Sequence, residues 1–141
     1  MFRLVNLSAR EARVIALVGL RKAERLAQLI DEKKGENVLI LDVQGLCNFA
    51  DYFVIGTGRS RLQLNAIGAH IEQTLKEQDG QRPVGREGQK STSWIILDYG
   101  DVIAHLMTED AREYYRLEQL WGDARLRSWA PSPAAQAQTV R

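Results

Sequence analysis

The chain of 141 residues is long enough for one domain with a buried core. Its hydrophobic fraction of 45% and charged fraction of 26% are ordinary for a globular protein and argue against wholesale disorder. With 19 basic and 18 acidic residues the net charge is +1, which argues against a protein that holds nucleic acid through a broad basic surface.

A single cysteine, Cys47, excludes a disulfide framework, as is usual in a reducing compartment. No apolar run approaches the roughly 18 residues of a membrane span. The first six residues lack the pattern of a signal peptide. We therefore expect a cytoplasmic protein with no membrane partner.

The first predicted elements are a helix over residues 10–34 and a strand over residues 38–43. The helix carries apolar residues at spacings of three and four. Gly19 in its middle favours two helices, or one with a frayed start, because glycine costs about 1 kcal/mol inside a helix. Gly35 is the expected C-cap. The aliphatic strand is expected to be covered on both faces, and residues 44–48 predict a loop.

A second strand, over residues 52–56, leads into a helix that Ser60 opens with Gln63 in a capping box and that Gly80 ends. A strand, glycines and a helix in this order can hold a phosphate on backbone N–H groups. The spacing in residues 56–60 is neither the dinucleotide fingerprint nor the P-loop. A tight turn followed by a serine cap explains the same residues and is the favoured interpretation.

Residues 79–93 contain three glycines and a proline and predict a mobile loop. Strands over residues 94–97 and 102–107 follow, joined by a hairpin turn. Thr108 is expected to cap a last helical stretch. These elements predict an α/β (α+β) fold, in which a single compact domain has a mixed sheet of four to five strands covered by helices.

Candidate catalytic and metal-binding residues form no recognisable site. Carboxylates that hold magnesium for nucleotidyl transfer normally lie two apart on one strand, so that both point the same way. Asp98 and Asp101 are three apart and flank a turn, and no Asp-x-Asp occurs. Cys47, His70 and His105 are too few, at no recognisable spacing, for a zinc site or an oriented nucleophile. We therefore expect no catalytic residues, no metal and no cofactor.

The hairpin over residues 94–107 carries the strongest functional signal. If its turn has two central residues, Asp98 pairs with Asp101 and Trp94 with His105. One face of the hairpin is then purely aliphatic, as a core face is: Ile95, Leu97, Val102, Ala104 and Leu106. The opposite face mixes apolar, aromatic and charged side chains, as binding surfaces do: Trp94, Ile96, Asp98, Asp101, Ile103 and His105.

Two alternatives stay open for this hairpin. A helix could cover the mixed face too, in which case Trp94 is a core residue. Tyr99 is unfavourable at a positive φ, so a bulged three-residue loop could change the cross-strand pairing. Gly100 is expected at a positive φ, and we expect that conformation to aim Tyr99 and Asp101 outward.

Several motifs follow one another along the chain: Asp42-Val-Gln-Gly-Leu, Ala50-Asp-Tyr-Phe-Val-Ile-Gly-Thr-Gly, Glu87-Gly, Trp94-Ile-Ile-Leu-Asp-Tyr-Gly-Asp-Val, His105 and Leu117-Glu-Gln-Leu-Trp-Gly-Asp. In this order and spacing they resemble the ribosomal silencing factor (RsfS, or Iojap) family. The resemblance runs from about Gly35 to Ala124. We assign residues 1–20 to a variable extension, 21–124 to the family's domain, and 125–141 to a low-complexity tail that is expected to be disordered.

The resemblance implies a compact mixed sheet with helices, distantly similar to nucleotidyltransferases but without their catalytic carboxylates. It implies a factor that binds large-subunit ribosomal protein fourteen, hinders the joining of the ribosomal subunits and represses translation when nutrients are scarce. Enzymatic activity is not expected. The near-zero net charge fits docking on a protein with at most marginal rRNA contact. A homodimer of the free factor stays open.

The resemblance and the mixed face of the hairpin place the partner contact on the same residues: Trp94, Ile96, Asp98, Tyr99, Gly100, Asp101, Ile103 and His105. Phe53 and Ile55 are expected in the core. Two other functions stay open. One is a large-subunit assembly factor with the same partner, and the other is a degenerate nucleotide-binding enzyme that uses residues 56–60.

Overall fold

The computed structural model describes residues 17–88 and 92–131. In chain order its elements are α1 Gly19–Glu32, β1 Glu36–Asp42, β2 Tyr52–Gly58, α2 Arg61–Asp79, β3 Gly85–Glu87, β4 Trp94–Asp98, β5 Val102–Thr108, α3 Glu109–Tyr115, α4 Leu117–Leu120 and β6 Arg125–Arg127. The predicted residues 10–16 of the first helix and residues 132–141 of the predicted tail lie outside the described residues.

The strands of the described residues form one six-stranded sheet in the order β3-β4-β5-β2-β1-β6. Strands β2 and β5 are parallel, and the other neighbours are antiparallel. This confirms the α+β class with a mixed sheet under helices. The prediction of four to five strands did not include β3 and β6. Each has three residues, and they form the two edges of the sheet. They lie in the segments predicted as a loop and as a disordered tail, because three residues are too few for a period of two to be visible.

Helices α1 and α2 cover one face of the sheet, which we call the closed face. The closed face carries the larger of the two hydrophobic clusters among the described residues. Its aliphatic side chains are fully buried: Leu26, Ile30, Ile40, Val54, Ile67, Ile71, Ile95, Leu97, Ala104 and Leu106. Full burial of each such side chain contributes about 1.5–3 kcal/mol. The closed face is therefore the main source of folding free energy.

Two glycines let the helices of the closed face approach the sheet. A Cβ at Gly56 would lie 2.7 Å from Ile30 Cγ2, and a Cβ at Gly58 would lie 2.7 Å from Leu64 Cδ2. Side-chain atoms of the core therefore occupy the space above both glycines. The close packing of helix on strand explains the glycines of residues 56–60 without a bound phosphate.

Helix α2 begins and ends as predicted. Ser60 Oγ accepts a hydrogen bond from the Gln63 N–H at 3.0 Å, and Gln63 Oε1 accepts one from the Arg59 N–H at 2.6 Å. Gly80 ends the helix with a φ of +65°. Because both signals are local, the sequence alone was sufficient to place the bounds of α2.

Helix α1 ends differently from the prediction. The left-handed residue at its C-terminus is Lys34, with a φ of +65°, and not Gly35. The N–H groups of Lys34 and Gly35 donate to the carbonyls of Asp31 and Ile30, as in a Schellman motif. Glycine is required at position 35 because a Cβ there would lie 2.9 Å from the Ile30 carbonyl oxygen.

The cross-strand register of the β4–β5 hairpin is shifted by two residues from the register predicted for a turn with two central residues. The cross-strand pairs are Trp94 with Met107, Ile96 with His105, and Asp98 with Ile103. The central turn residues are Gly100, at a φ of +90°, and Asp101. Tyr99 stays in line with its strand, and its N–H donates to the Val102 carbonyl at 2.9 Å. A shift of two preserves the faces of the strands, so the aliphatic face is confirmed as a core face.

Candidate functional site

The opposite face of the sheet, which we call the open face, is covered only in part. Helices α3 and α4 and the loop over residues 43–50 bury its centre. Beside strands β3 and β4 they leave a groove of about 480 Å³. The groove is lined by Phe49, Phe53, Gly85, Arg86, Glu87, Trp94, Ile96, Asp98, Ile103, His105, Leu117 and Trp121.

His105 lies in this groove and is 7% exposed. Its Nδ1 accepts a hydrogen bond from the Trp94 indole N–H at 3.1 Å, and its ring lies edge-to-face with Phe53 at 4.9 Å between centroids. Burial lowers the pKa of His105 from 6.5 to about 4, so the ring is neutral at pH 7. Since Nδ1 is the acceptor, the proton of the neutral ring is on Nε2. This atom has no hydrogen-bond partner among the described residues.

Aromatic rings form the walls of the groove. Trp94 packs against Tyr115 at 4.7 Å, and Phe53 packs edge-to-face with Trp121 at 5.4 Å between centroids. Phe49 is 59% exposed and Tyr115 is 51% exposed. Aromatic side chains that surround a groove and remain reachable by solvent are typical of a protein interaction site.

The charged residues at the groove are predominantly acidic. Glu87 is exposed on β3, and Asp98 at the end of β4 accepts a hydrogen bond from the Gly100 N–H at 2.8 Å. The basic residue of the lining, Arg86, donates to Glu72 on α2 at 3.1 Å. Two carboxylates beside apolar rings favour a partner that presents basic residues next to an apolar side chain.

Five of the eight residues predicted to bind a partner line this groove together: Trp94, Ile96, Asp98, Ile103 and His105. The alternative in which a helix covers this face holds for part of it. Ile103 is 7% exposed and packs in the cluster that includes residues of α3 and α4, whereas Trp94 is half-buried. Gly100 has the expected positive φ and lies exposed in the turn.

The prediction that Tyr99 and Asp101 point outward is wrong. Tyr99 is 3% exposed and packs in the cluster of the closed face, where burial and then the charge of Glu72 raise the pKa of its hydroxyl above 10. Asp101 accepts hydrogen bonds from Lys22 Nζ at 2.7 Å and from the Gly19 N–H. In the shifted register Tyr99 packs into the core of the closed face, and Asp101 turns toward the start of α1.

Asp101 therefore caps the start of α1 from a distant part of the chain. Burial raises the pKa of its carboxyl, but the hydrogen bonds and charge of Lys22 and the Gly19 N–H outweigh burial and lower it below 3.8. Lys22 also donates to the Tyr99 carbonyl at 2.8 Å. The negative charge suits the helix N-terminus, and Gly19, at a φ of +59°, begins the helix there.

Sequence reasoning missed three residues from outside the hairpin that line the groove, Phe49, Leu117 and Trp121, and it missed Tyr115, which packs against Trp94. Leu117 and Trp121 lie in a motif that was recognised, and that motif was the available signal for them. No local pattern indicated that helix α4 would fold over Phe53, because this contact depends on the turn at Arg116, where the backbone takes a φ of +48°.

A second cleft, of about 460 Å³, lies around Arg112. The Arg112 guanidinium donates to Thr57 Oγ1 at 2.8 Å, to the Asn37 carbonyl, and to Glu118 Oε1 at 3.3 Å. These bonds join α3 and α4 to the first two strands. The cleft thus surrounds a structural brace, in which Nε and Nη1 of Arg112 already have partners.

The other candidates for chemistry remain apart. Cys47 is half-buried, and His70 contacts Glu32 at 2.9 Å on the other side of the sheet from Phe53. Within residues 17–88 and 92–131, no three His, Cys, Asp or Glu residues come together as a metal site would require. No helix in that part of the chain is long and apolar enough to cross a membrane.

Comparisons with known proteins point to one family. Residues 19–141 match the family model described as ribosomal silencing factor during starvation. Ribosomal silencing factor RsfS of Bacillus subtilis is 41% identical over 100 residues, which cover 71% of this chain and 84% of that protein. A crystal structure of a Chromobacterium violaceum protein is similar with a TM-score of 0.69 at 32% identity, covering 82% of this chain and 95% of that one.

An organellar relative is also similar. The mouse protein named mitochondrial assembly of ribosomal large subunit protein 1 is 30% identical over 100 residues. These cover 70% of this chain and 44% of the mouse protein. The match therefore spans less than half of the mouse protein.

Proposed function

Because the chain belongs to the ribosomal silencing factor family, we propose that it binds the large ribosomal subunit through large-subunit ribosomal protein fourteen. Bound there, it sterically blocks the joining of the two subunits and represses translation under nutrient limitation. The groove of the open face is the contact site, and the protein acts without turnover chemistry. The observation that carries this proposal is the groove with its partly exposed aromatic walls.

The composition of the groove supports a protein partner. Trp94 and Trp121 are both half-buried, so that each has a supported side and a reachable side. Aromatic anchors at the centre of an interface contribute a large share of the binding free energy. The carboxylates of Glu87 and Asp98 complement a basic surface and steer it to the groove. To repress translation by blocking subunit joining, the protein needs only a stable contact of this kind with the large subunit.

Sedimentation tests the proposal directly. The protein is mixed with purified large subunits, small subunits or joined ribosomes and centrifuged through a cushion. We expect it in the pellet with large subunits, and a lower yield of joined ribosomes when it is added before the small subunit. Equal binding to small subunits, or an unchanged yield at saturating protein, contradicts the proposal.

The variant Trp94→Ala tests the site. We expect it to weaken large-subunit binding by about 2 kcal/mol or more, roughly 30-fold, while the domain stays folded. Thermal melting is measured on the same sample. If the variant instead loses about 3–5 kcal/mol of stability, as a core aromatic does, Trp94 is a structural residue and the groove is not the interface.

A second candidate function is assembly of the large subunit, which the similarity to the mouse protein favours. Both functions use the same partner and differ in when it is bound. Depletion of the protein in growing cells separates them. Accumulation of incomplete large subunits supports assembly, whereas complete large subunits that join more readily during starvation support silencing.

A further inference from the structure

The contact between Trp94 and His105 has a consequence for binding, on the premise of the function proposed above. Trp94 and His105 are diagonal neighbours on β4 and β5, because the pairs in the observed register are Trp94 with Met107 and Ile96 with His105. Diagonal positions on one face are within reach of long side chains. The register therefore brings the Trp94 indole N–H to His105 Nδ1, at 3.1 Å.

We infer that His105 is a positioning residue for partner binding: its Nδ1 holds the Trp94 indole as a fixed wall of the groove, so that the ring is already oriented when the partner docks.

His105 is itself held in place. Its ring is buried and contacts Phe53 edge-to-face at 4.9 Å. Tyr115, at 4.7 Å from Trp94, supports the indole further. Burial keeps the ring of His105 neutral at pH 7, so Nδ1 retains the lone pair that accepts the hydrogen bond.

Preorientation of an aromatic anchor affects affinity through entropy. Ordering one mobile side chain at an interface costs about 0.5–1.5 kcal/mol, which corresponds to roughly 2- to 12-fold in affinity. An indole that His105 already holds has lost its rotational freedom when the protein folds, so binding does not have to order it. Because His105 itself is only 7% exposed, loss of the bond should weaken binding within this range mainly through the orientation of Trp94.

Two substitutions of His105 separate positioning from simple packing. His105→Asn places an amide oxygen near the site of Nδ1 and keeps an acceptor, but it leaves a cavity and lowers stability. His105→Leu removes the acceptor, fills the space with apolar atoms and removes the unpartnered Nε2. A structural role predicts that affinity follows stability, so that Leu binds better than Asn. The positioning role predicts the reverse order.

The expected result is a roughly 3- to 10-fold weaker affinity of His105→Leu for large subunits and near wild-type affinity of His105→Asn, both corrected for the folded fraction. Wild-type affinity of His105→Leu overturns the inference. Trp94→Ala, measured in parallel, locates the interface. If the wild type binds and Trp94→Ala binds equally well, the ring is no anchor and the inference also falls.

Proton exchange of the indole groups provides a readout that does not depend on the ribosome. Trp129 is an internal reference, because its indole N–H donates to the Val38 carbonyl at 3.1 Å. In ¹⁵N-labelled protein we expect slow exchange at Trp94 in the wild type and in His105→Asn, and fast exchange in His105→Leu, with Trp129 unchanged. Slow exchange at Trp94 in His105→Leu overturns the inference, whereas failure of the wild type to bind large subunits identifies the proposed function as the failure.

Discussion

The two faces of the sheet differ in what covers them. The closed face lies under helices of 14 and 19 residues, and the open face lies under helices of seven and four residues. At 1.5 Å per residue, a 19-residue helix is about 28 Å long and a four-residue helix about 6 Å. The long helices can follow the strands from end to end, whereas the short ones leave a part of the open face uncovered.

The composition of each face follows from this difference. The closed face is predominantly aliphatic and the side chains of its cluster are buried. On the open face Phe53 is 2% exposed, whereas Trp94 and Trp121 are half-buried and expose part of their rings at the groove. The comparison teaches that stability is concentrated on one face and leaves the other free to bind. The following predictions test that division.

The largest effect is expected on the closed face. Ile67→Ala removes a fully buried side chain between α2 and the sheet and should lower the free energy of unfolding by about 2–5 kcal/mol. Leu62→Ala, on the same helix but at a position that is 82% exposed, should change it by less than about 0.5 kcal/mol. Urea denaturation measures both. Equal effects would mean that the closed face does not dominate stability.

On the open face, acid should destabilise the protein through His105. The pKa of His105 is about 4 in the folded protein and 6.5 when unfolded, so the unfolded chain binds the proton more readily between these values. The free energy of unfolding should fall as the pH is lowered from 6.5 to 4, by about 3 kcal/mol from this residue. Denaturation of His105→Asn across the same pH range is the control, and an identical pH dependence would contradict the assignment.

Asp98 and Asp101 lie close in sequence but belong to different faces. Asp101→Asn removes the charge that holds Lys22 and the start of α1 and should lower stability by about 1.5–3 kcal/mol. Asp98→Asn keeps an oxygen for the Gly100 N–H and should change stability very little. It should weaken binding to the large subunit, and the remaining affinity should depend less on salt concentration. Melting and binding titrations at two salt concentrations should show these opposite patterns.

The smallest effect is expected at the turn that joins β4 to β5. Gly100 has a φ of +90° and no atom within 4 Å of an added Cβ, so Gly100→Ala adds backbone strain without a clash. We expect a loss of about 1–2 kcal/mol in stability. Gly85→Ala also has open space but no positive φ, and it should change stability by less than about 0.5 kcal/mol. Equal melting temperatures of the two variants would show that the turn is not strained by a side chain.

Much of the fold could be predicted because its signals are local. Ser60, Gln63 and Gly80 set the bounds of α2 within a few residues of themselves. The alternation over residues 94–107 separated a core face from a mixed face, and five residues of the mixed face line the groove. The hydrophobic period of a strand survives a register shift of two residues, so this part of the site was predicted even though the pairing was wrong.

The sequence by itself determined the long elements, the two faces of the hairpin over residues 94–107 and the family, since these depend on neighbouring residues and on motifs that can be read in order. Only the tertiary structure decided that Tyr99 enters the core of the closed face and that Asp101 turns to the start of α1, about 80 residues earlier in the chain. It also decided that Trp121 meets Phe53 at the groove, at 5.4 Å. Contacts between residues so far apart in the chain depend on how whole elements pack, and no local pattern of charge or hydrophobicity specifies that packing.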